Sequence, residues 1–149
     1  MKRKKICWIT PDYFVDSDIN IIPLLCERDY SIECIVTGPE KNPRYPLEAL
    51  PKCENLTICY IKWNKRLVHP QNILFFVKLF KTILSKRPDL YYMNYAPEGY
   101  FMLFYWLLPF KKMIATAHQG RVHDGFRFKT LAKFSRWLYY SKVRYVNMF

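Results

Sequence analysis

The sequence contains only four glycines in 149 residues, and this scarcity excludes several phosphate-binding motifs. No G-x-G-x-x-G follows the first strand-like run, so the turn that holds a dinucleotide in many α/β proteins is absent. The P-loop pattern G-x-x-x-x-G-K-[ST] is absent as well, which excludes that mode of nucleotide binding. No serine, histidine and acid are arranged around a nucleophile elbow.

Cysteine patterns that hold a metal or a disulfide framework are also lacking. The five cysteines form an odd set without a C-x-x-C pair, which argues against both and favours a reducing compartment. Three of them lie in strand-like runs and are interpreted as small buried hydrophobic side chains: Cys7, Cys34 and Cys59. His118, His123 and Asp124 lack a further spaced ligand, so we expect no metal site.

No apolar run is long enough to span a membrane. The longest uncharged stretch is the twelve residues 99–110, whereas a spanning helix needs about 20 apolar residues. The basic start followed by residues 6–10 imitates a signal peptide, but Pro11 and Asp12 end its apolar part too early. We therefore expect residues 6–10 to be a first strand and the protein to be cytoplasmic.

Acidic residues are scarce in the second part of the chain. Residues 1–60 carry eight Lys/Arg and nine Asp/Glu, whereas residues 61–149 carry sixteen Lys/Arg and three acids. The excess of positive charge indicates an anionic partner, such as a lipid surface, nucleic acid, a phosphorylated ligand or an acidic protein. Solubility is the ordinary alternative, but an asymmetry of this size exceeds what solubility requires.

Short apolar runs alternate with helical patterns along the chain. Strands are predicted at residues 6–10, 31–37, 56–61, 90–94, 111–117 and 143–149. Helices are predicted at residues 19–28, 73–86, 100–108 and 128–141, with one helical turn at 47–50. This order is typical of an α/β fold with a doubly wound, mostly parallel, Rossmann-like sheet covered by helices.

Local signals also predict details of the first two helices. Asp18 and Asn72 are expected to be N-caps, and Pro23 is expected near the first turn, where proline is tolerated. The buried face of the second helix is predicted from apolar residues at helical spacing: Ile73, Phe76, Val77, Phe80 and Leu84.

Residues 113–125, MIATAHQGRVHDG, contain the main candidate for chemistry. An apolar run ends at His118, and Gly120 and Gly125 then bracket a polar loop. Ligands of open α/β sheets bind beyond the carboxyl ends of parallel strands, which makes His118 a candidate site residue. The alternative is a histidine at a strand end whose nitrogens bond to backbone groups.

Several strings resemble one family. In chain order, KKICWIT, IIPLLCERDYSIECIV, SKRPDLYYMN and KKMIATAHQG resemble elements of the glycosyltransferase subfamily-4-like domain. That domain is the N-terminal half of a GT-B-type glycosyltransferase. The resemblance covers nearly the whole chain, and its most specific part is the strand ending in T-x-H.

The resemblance implies that residues 1–149 form one acceptor-side lobe of an enzyme that transfers a sugar from a nucleotide-sugar donor to a glycan or lipid-linked acceptor. A C-terminal lobe, deleted or supplied by a second chain, would bind the donor. We expect the chain alone to be inactive, and we expect a boundary after Phe149 because the sequence stops inside a predicted strand. No cofactor is implied beyond the donor.

The resemblance also assigns roles to individual residues. His118 matches the histidine that reaches the donor sugar. The remaining candidates for substrate binding are Thr10, Pro11, Asp12, Asn94 and Gly120. Relatives often carry glycines in the loop after the first strand, where this chain has PDYFVDSD. The acids there favour hydroxyl-bearing acceptor groups over a phosphate contact.

The last predicted helix combines basic and aromatic residues. Lys129, Lys133, Arg136 and Trp137 are typical of a patch on anionic lipid, which would place the protein at the inner face of the membrane, near envelope polysaccharide acceptors. A solvated face over a packed core is the ordinary alternative. Two other functions stay open: a non-catalytic basic α/β module that binds nucleic acid or membrane lipid, and a different doubly wound domain. No nucleic-acid recognition motif is present, so we do not expect a nucleic-acid partner.

Overall fold

A computed structural model describes residues 3–39, 46–64, 69–94, 112–116 and 137. Its strands are β1 Lys5–Pro11, β2 Ser31–Gly38, β3 Leu56–Lys62, β4 Leu90–Asn94 and β5 Met113–Thr116. Its α-helices are α1 Val15–Glu27 and α2 Gln71–Lys86, and two 3-10 turns cover Asp12–Phe14 and Leu47–Ala49.

The five strands form one sheet in the order β3-β2-β1-β4-β5, and all four neighbouring pairs are parallel. In the centre of the sheet, Ile9 of β1 lies opposite Ile35 of β2 and Met93 of β4. The chain moves from β1 to one side of the sheet and later crosses to the other side at β4. The predicted doubly wound α/β fold with a Rossmann-like parallel sheet is therefore confirmed.

The strands bury side chains on both faces, because successive residues of a strand point in opposite directions. Trp8 and Val36 pack with Ile22 of α1 on one face, whereas Ile9 packs with Leu79 of α2 on the other. Burial of each large apolar side chain contributes about 1.5–3 kcal/mol. The sheet is therefore packed between α1 on one face and α2 on the other, with an apolar layer at each contact.

The predicted strands agree with the structure to within one residue at each end for β1 to β4. These runs are apolar, rich in β-branched residues and bounded by turn residues, which is why local sequence locates them. The predicted helical turn at 47–50 corresponds to the 3-10 turn Leu47–Ala49.

Two predictions about α1 are wrong. The helix begins at Val15, directly after a 3-10 turn, so Asp18 lies inside its first turn and is fully buried instead of capping it. Pro23 consequently lies in the helix interior. Since proline has no amide hydrogen, the Ile19 carbonyl loses its helical donor at this point.

The predicted cap of α2 is also wrong, and its predicted buried face is wrong in part. The buried residues are Asn72, Phe75, Leu79 and Ile83. Two residues of the predicted stripe, Phe76 and Phe80, are half-buried and pack against the core. The other three are exposed, with fractional exposures of 68%, 59% and 65%: Ile73, Val77 and Leu84. Apolar residues occupy more than one side of this helix, so periodicity alone does not choose the side that meets the sheet.

Asn72 ties the start of α2 to the end of β3 instead of capping the helix. Its Oδ1 accepts the Asn64 amide hydrogen at 2.7 Å, and its Nδ2 donates to the Asn64 carbonyl oxygen at 3.1 Å. The residue before the helix is Pro70, which makes no side-chain capping bond.

The remaining predicted elements, at 100–108, 128–141 and 143–149, lie outside the described residues except for the single residue Trp137. Across the described part of the chain, no helix combines the length and apolar character needed to cross a membrane.

Candidate functional site

Buried polar side chains concentrate at the carboxyl edge of the sheet. Among the described residues six polar or charged side chains are buried. Asn72 contacts Asn64 beyond the outer strand β3, whereas the other five lie around the ends of β1, β2 and β4: Thr10, Asp12, Asp18, Thr37 and Asn94. We call these five residues the carboxyl-edge cluster. The cluster lies where β1 and β4 separate the two halves of the sheet, which is the position at which open α/β sheets bind ligands.

Asp18 is the centre of this cluster. Its Oδ1 accepts hydrogen bonds from Trp8 Nε1 at 3.0 Å and from Asn94 Nδ2 at 2.8 Å. The carboxylate therefore joins β1, α1 and β4 across the point where the strand order reverses. Its Oδ2 is buried and accepts no hydrogen bond from any described residue.

The surroundings of Asp18 raise the pKa of its carboxyl group. Burial is the main cause, and hydrogen bonds from Thr10, Trp8 and Asn94 act in the opposite direction, while the nearby Asp16 charge raises the pKa further. The bond from the Thr10 hydroxyl to the Pro11 carbonyl oxygen is long and weak at 3.4 Å, so this hydroxyl can turn towards the Asp18 carboxyl group, but no described donor lies in bonding geometry to Oδ2. An unpaired buried oxygen favours the protonated acid.

Asp12 lies at the end of β1, with only 3% of its surface exposed. Its carboxylate and the Tyr60 hydroxyl both occupy the space that a Cβ atom on Gly38 would fill. Glycine at position 38 is thus required by close approach, since any larger residue would displace the acid. The Thr37 hydroxyl also donates to the Thr10 carbonyl oxygen at 3.4 Å, which links β2 to β1.

Tyr92 extends the polar edge towards β5. Its ring stacks on Trp8 with the centroids 3.7 Å apart and an angle of 24° between the planes. Its hydroxyl lies 2.5 Å from Thr116 Oγ1, the last residue of β5. Burial raises the pKa of Tyr92; the Thr116 contact lowers it, and the charge of Asp18 raises it.

The structure brings together four of the sequence-predicted residues: Thr10, Pro11, Asp12 and Asn94. Five others lie outside the described residues: His118, Gly120, Lys129, Lys133 and Arg136. Trp137 is described and is 64% exposed. His118 follows the end of β5 by two positions in the sequence.

Asp18, Thr37 and Gly38 were not predicted as members or supports of this site. A usable signal was present, because the apolar runs of β1, β2, β4 and β5 each contain a polar residue at or near their carboxyl end. Parallel strands bring such residues to one edge, so this repeated polar ending predicts a cluster even without a motif.

The side chains of the carboxyl-edge cluster are hydrogen-bonding groups of the kind that can pair with hydroxyls. The cluster combines two carboxyl groups, an amide and two hydroxyls, and it contains no basic side chain that would pair with phosphate. Within the described ranges, no group of three or more His, Cys, Asp or Glu residues is placed to hold a metal ion.

Comparison with protein-family models, curated proteins and solved structures finds no match for this chain. The class that the fold and site define is therefore a Rossmann-like α/β domain with a buried polar cluster at the carboxyl edge of its sheet.

Proposed function

We propose that this chain is the acceptor-binding lobe of a GT-B-type glycosyltransferase, which transfers a sugar from a nucleotide-sugar donor to a glycan or lipid-linked acceptor. The observation that supports this proposal is the carboxyl-edge cluster, which supplies carboxyl, amide and hydroxyl groups where the strand order reverses. Such groups pair with several ligand hydroxyls at once, and a dense set of hydroxyls distinguishes carbohydrates from other ligands. The family resemblance of the sequence points to the same lobe.

Within this proposal, Asp12 contacts the acceptor and Asp18 positions the surrounding groups. Asp12 follows β1 directly, and its carboxylate accepts hydrogen bonds from acceptor hydroxyls. Asp18 has no exposed surface, and its two hydrogen bonds hold Trp8 and Asn94 in place. A rigid arrangement lowers the entropic cost of ordering the site when the ligand binds.

His118 supplies the link to the donor in this proposal. Its sequence position, two residues after β5, supports a role at the same edge of the sheet. An imidazole can donate a hydrogen bond to a sugar hydroxyl or to the charge that develops on the leaving group. A second lobe, in the same protein or in another chain, would hold the diphosphate of the donor.

Ligand-detected NMR tests the acceptor site directly. Saturation transfer is measured from the purified chain to the methyl glycosides of glucose, galactose and N-acetylglucosamine, and to the permethylated form of each as a control without hydroxyl groups. We expect transfer to at least one glycoside and none to its permethylated form, because the cluster offers partners for hydroxyl groups. No transfer to any glycoside, or equal transfer to the permethylated forms, would contradict the proposal.

Two acids close in sequence provide a matched pair of variants. Asp12→Asn should strongly weaken saturation of the glycoside, since the negative charge is lost and one acceptor oxygen becomes a donor NH₂ group. Asp16→Asn, on the exposed side of α1, should leave it unchanged. Circular dichroism verifies that both variants fold, and equal effects of the two changes would remove Asp12 from the site.

A separate assay tests the proposal that a second lobe is needed to bind the donor. The chain is incubated with UDP-glucose and the glycoside that it binds, and product is measured by mass spectrometry. We expect no transfer, because the cluster lacks groups that hold a diphosphate. Transfer by the chain alone would overturn the assignment of the donor to a second lobe.

Membrane contact by Lys129, Lys133, Arg136 and Trp137 is part of the same proposal. The exposure of Trp137 supports it, because an exposed indole beside basic residues is typical of interfacial helices. Trp137→Ala should reduce co-sedimentation with vesicles of phosphatidylglycerol, whereas unchanged sedimentation would remove Trp137 from the contact.

A further inference from the structure

A second concave site lies at the opposite, amino-terminal edge of the sheet. The cavity has a volume of about 700 Å³, within the range of small-molecule sites. It is formed where the start of β1 meets the end of α2 and the start of β4. Ten described residues line it, and five of these are basic: Arg3, Lys4, Lys5, Lys86 and Arg87.

Acidic neighbours neutralise only part of this charge. Arg3 Nε lies 2.6 Å from Asp29 Oδ1, and Lys86 Nζ lies 3.4 Å from Glu33 Oε2. Of the described residues that line the cavity, Asp89 alone is acidic.

Asp89 is already engaged with the backbone, since its Oδ2 accepts the Lys5 amide hydrogen at 2.9 Å. Among the described residues, no carboxylate forms an ion pair with the side chains of Lys4, Lys5 or Arg87. The cavity therefore retains a positive charge that a ligand can neutralise.

Arg87 adopts a backbone conformation that is sterically unfavourable for any residue with a Cβ atom. It follows α2 with φ 43° and ψ 60°, in the left-handed region where helices usually end with glycine or asparagine. A side chain there carries a steric cost. Lys86 already places a positive charge in the last turn of the helix, and Arg87 adds a second one directly after it.

We propose that this basic cavity binds a small molecule that carries two or more phosphate groups. Several cations on one concave wall match several phosphates, and the arginine guanidinium binds phosphate oxygens in pairs. The site is concave, which fits a compact soluble ligand better than a flat lipid surface. It lies at the edge opposite the carboxyl-edge cluster and does not depend on the glycosyltransferase proposal.

Isothermal titration calorimetry with sodium tripolyphosphate tests this inference on the full chain. We expect one molecule bound per chain, with an affinity that falls as salt rises to about 0.15 M. Lys4→Gln and Arg87→Gln should each weaken binding by about tenfold or more. No detectable binding by the unchanged chain at low salt would overturn the proposal.

Lys78→Gln is the matched control, because it removes the same charge from an exposed position of α2 that does not line the cavity. We expect its affinity to remain within about twofold of the unchanged chain. A loss equal to that of Arg87→Gln would mean that only the overall charge matters, and would overturn the assignment of the site.

Arg87→Gly separates binding from folding. Glycine relieves the left-handed conformation, so the melting temperature should rise while tripolyphosphate binding weakens. A higher melting temperature with unchanged binding would contradict a role for Arg87 in the cavity. Vesicles of phosphatidylglycerol form a further arm: Arg87-dependent vesicle binding without tripolyphosphate binding would assign the cavity to lipid and overturn the soluble ligand.

Discussion

The buried carboxyl group of Asp18 makes the stability of this protein depend on pH in a defined direction. Its pKa is raised above the ordinary value of 3.8, chiefly by burial. A raised pKa in the folded state means that the stabilisation from this group is complete below pH 3.8. It is lost as the pH rises through the folded-state pKa. Each unit of difference corresponds to about 1.4 kcal/mol.

Asp18→Asn should remove this dependence, because the amide does not titrate. Its oxygen can still accept the hydrogens from Trp8 and Asn94, so the network survives. Its new NH₂ group, in place of the unpartnered Oδ2, costs about 1–3 kcal/mol if it finds no acceptor. That cost offsets the stability gained by removing the charge. The change in the free energy of unfolding with pH is therefore more informative than its value at one pH.

The measurement is urea unfolding of the unchanged chain and of Asp18→Asn at a series of pH values from about 3.8 to neutral. The other carboxylates are common to both proteins, so the difference between the two curves isolates Asp18. We expect the variant to gain stability relative to the unchanged chain as the pH rises. Parallel curves would refute the reasoning.

Asp18→Ala provides the second arm of the experiment. It leaves the buried donors of Trp8 and Asn94 without their acceptor, at a combined cost of about 2–6 kcal/mol. Since small domains are stable by only about 5–15 kcal/mol, this loss is a large share of the total. Destabilisation below about 1 kcal/mol would show that Asp18 does not hold the network.

Three further predictions test other parts of the molecule. Gly38→Ala should lower the free energy of unfolding by about 1–3 kcal/mol in urea unfolding, because its methyl group overlaps the Asp12 carboxylate; unchanged stability would contradict that contact. Burial, and then the Glu33 charge, raise the pKa of Cys7 to about 12, so Cys7 should resist iodoacetamide near pH 8 until the chain unfolds, as mass spectrometry would reveal. In the proposed two-lobe glycosyltransferase, His118→Ala should lower kcat by about 10²–10³-fold with an unchanged circular dichroism spectrum, and equal turnover would exclude His118 from the site.

Much of the fold could be predicted from the sequence. The runs that form β1 to β4 are short, apolar and β-branched, and prolines, glycines or acids bound them, so each strand is specified by its own residues. The parallel arrangement followed from the alternation of these runs with helical patterns. Thr10, Asp12 and Asn94 were predicted as site residues through the family resemblance, and the structure places all three, buried, at the carboxyl edge of the sheet.

Which face of each helix is buried was harder to predict from the sequence. Phe75, Leu79 and Ile83 meet the sheet, whereas the predicted residues Ile73 and Leu84 face outward. Both stripes are apolar at helical spacing, and a choice between them requires knowledge of where the sheet lies. The role of Asp18 was hidden for the same reason, since an acid near a helix start resembles an N-cap unless its partners on β1 and β4 are known.

The sequence by itself determined the class of fold, the location of the strands and the polar residues at their ends, because these depend on neighbours along the chain. Only the tertiary structure decided which of these residues share a site. Asp18 and Asn94 are 76 positions apart, and Lys5 and Asp89 are 84 positions apart, yet each pair is in contact. Such contacts arise from the order of strands in the sheet, which no local pattern of residues encodes.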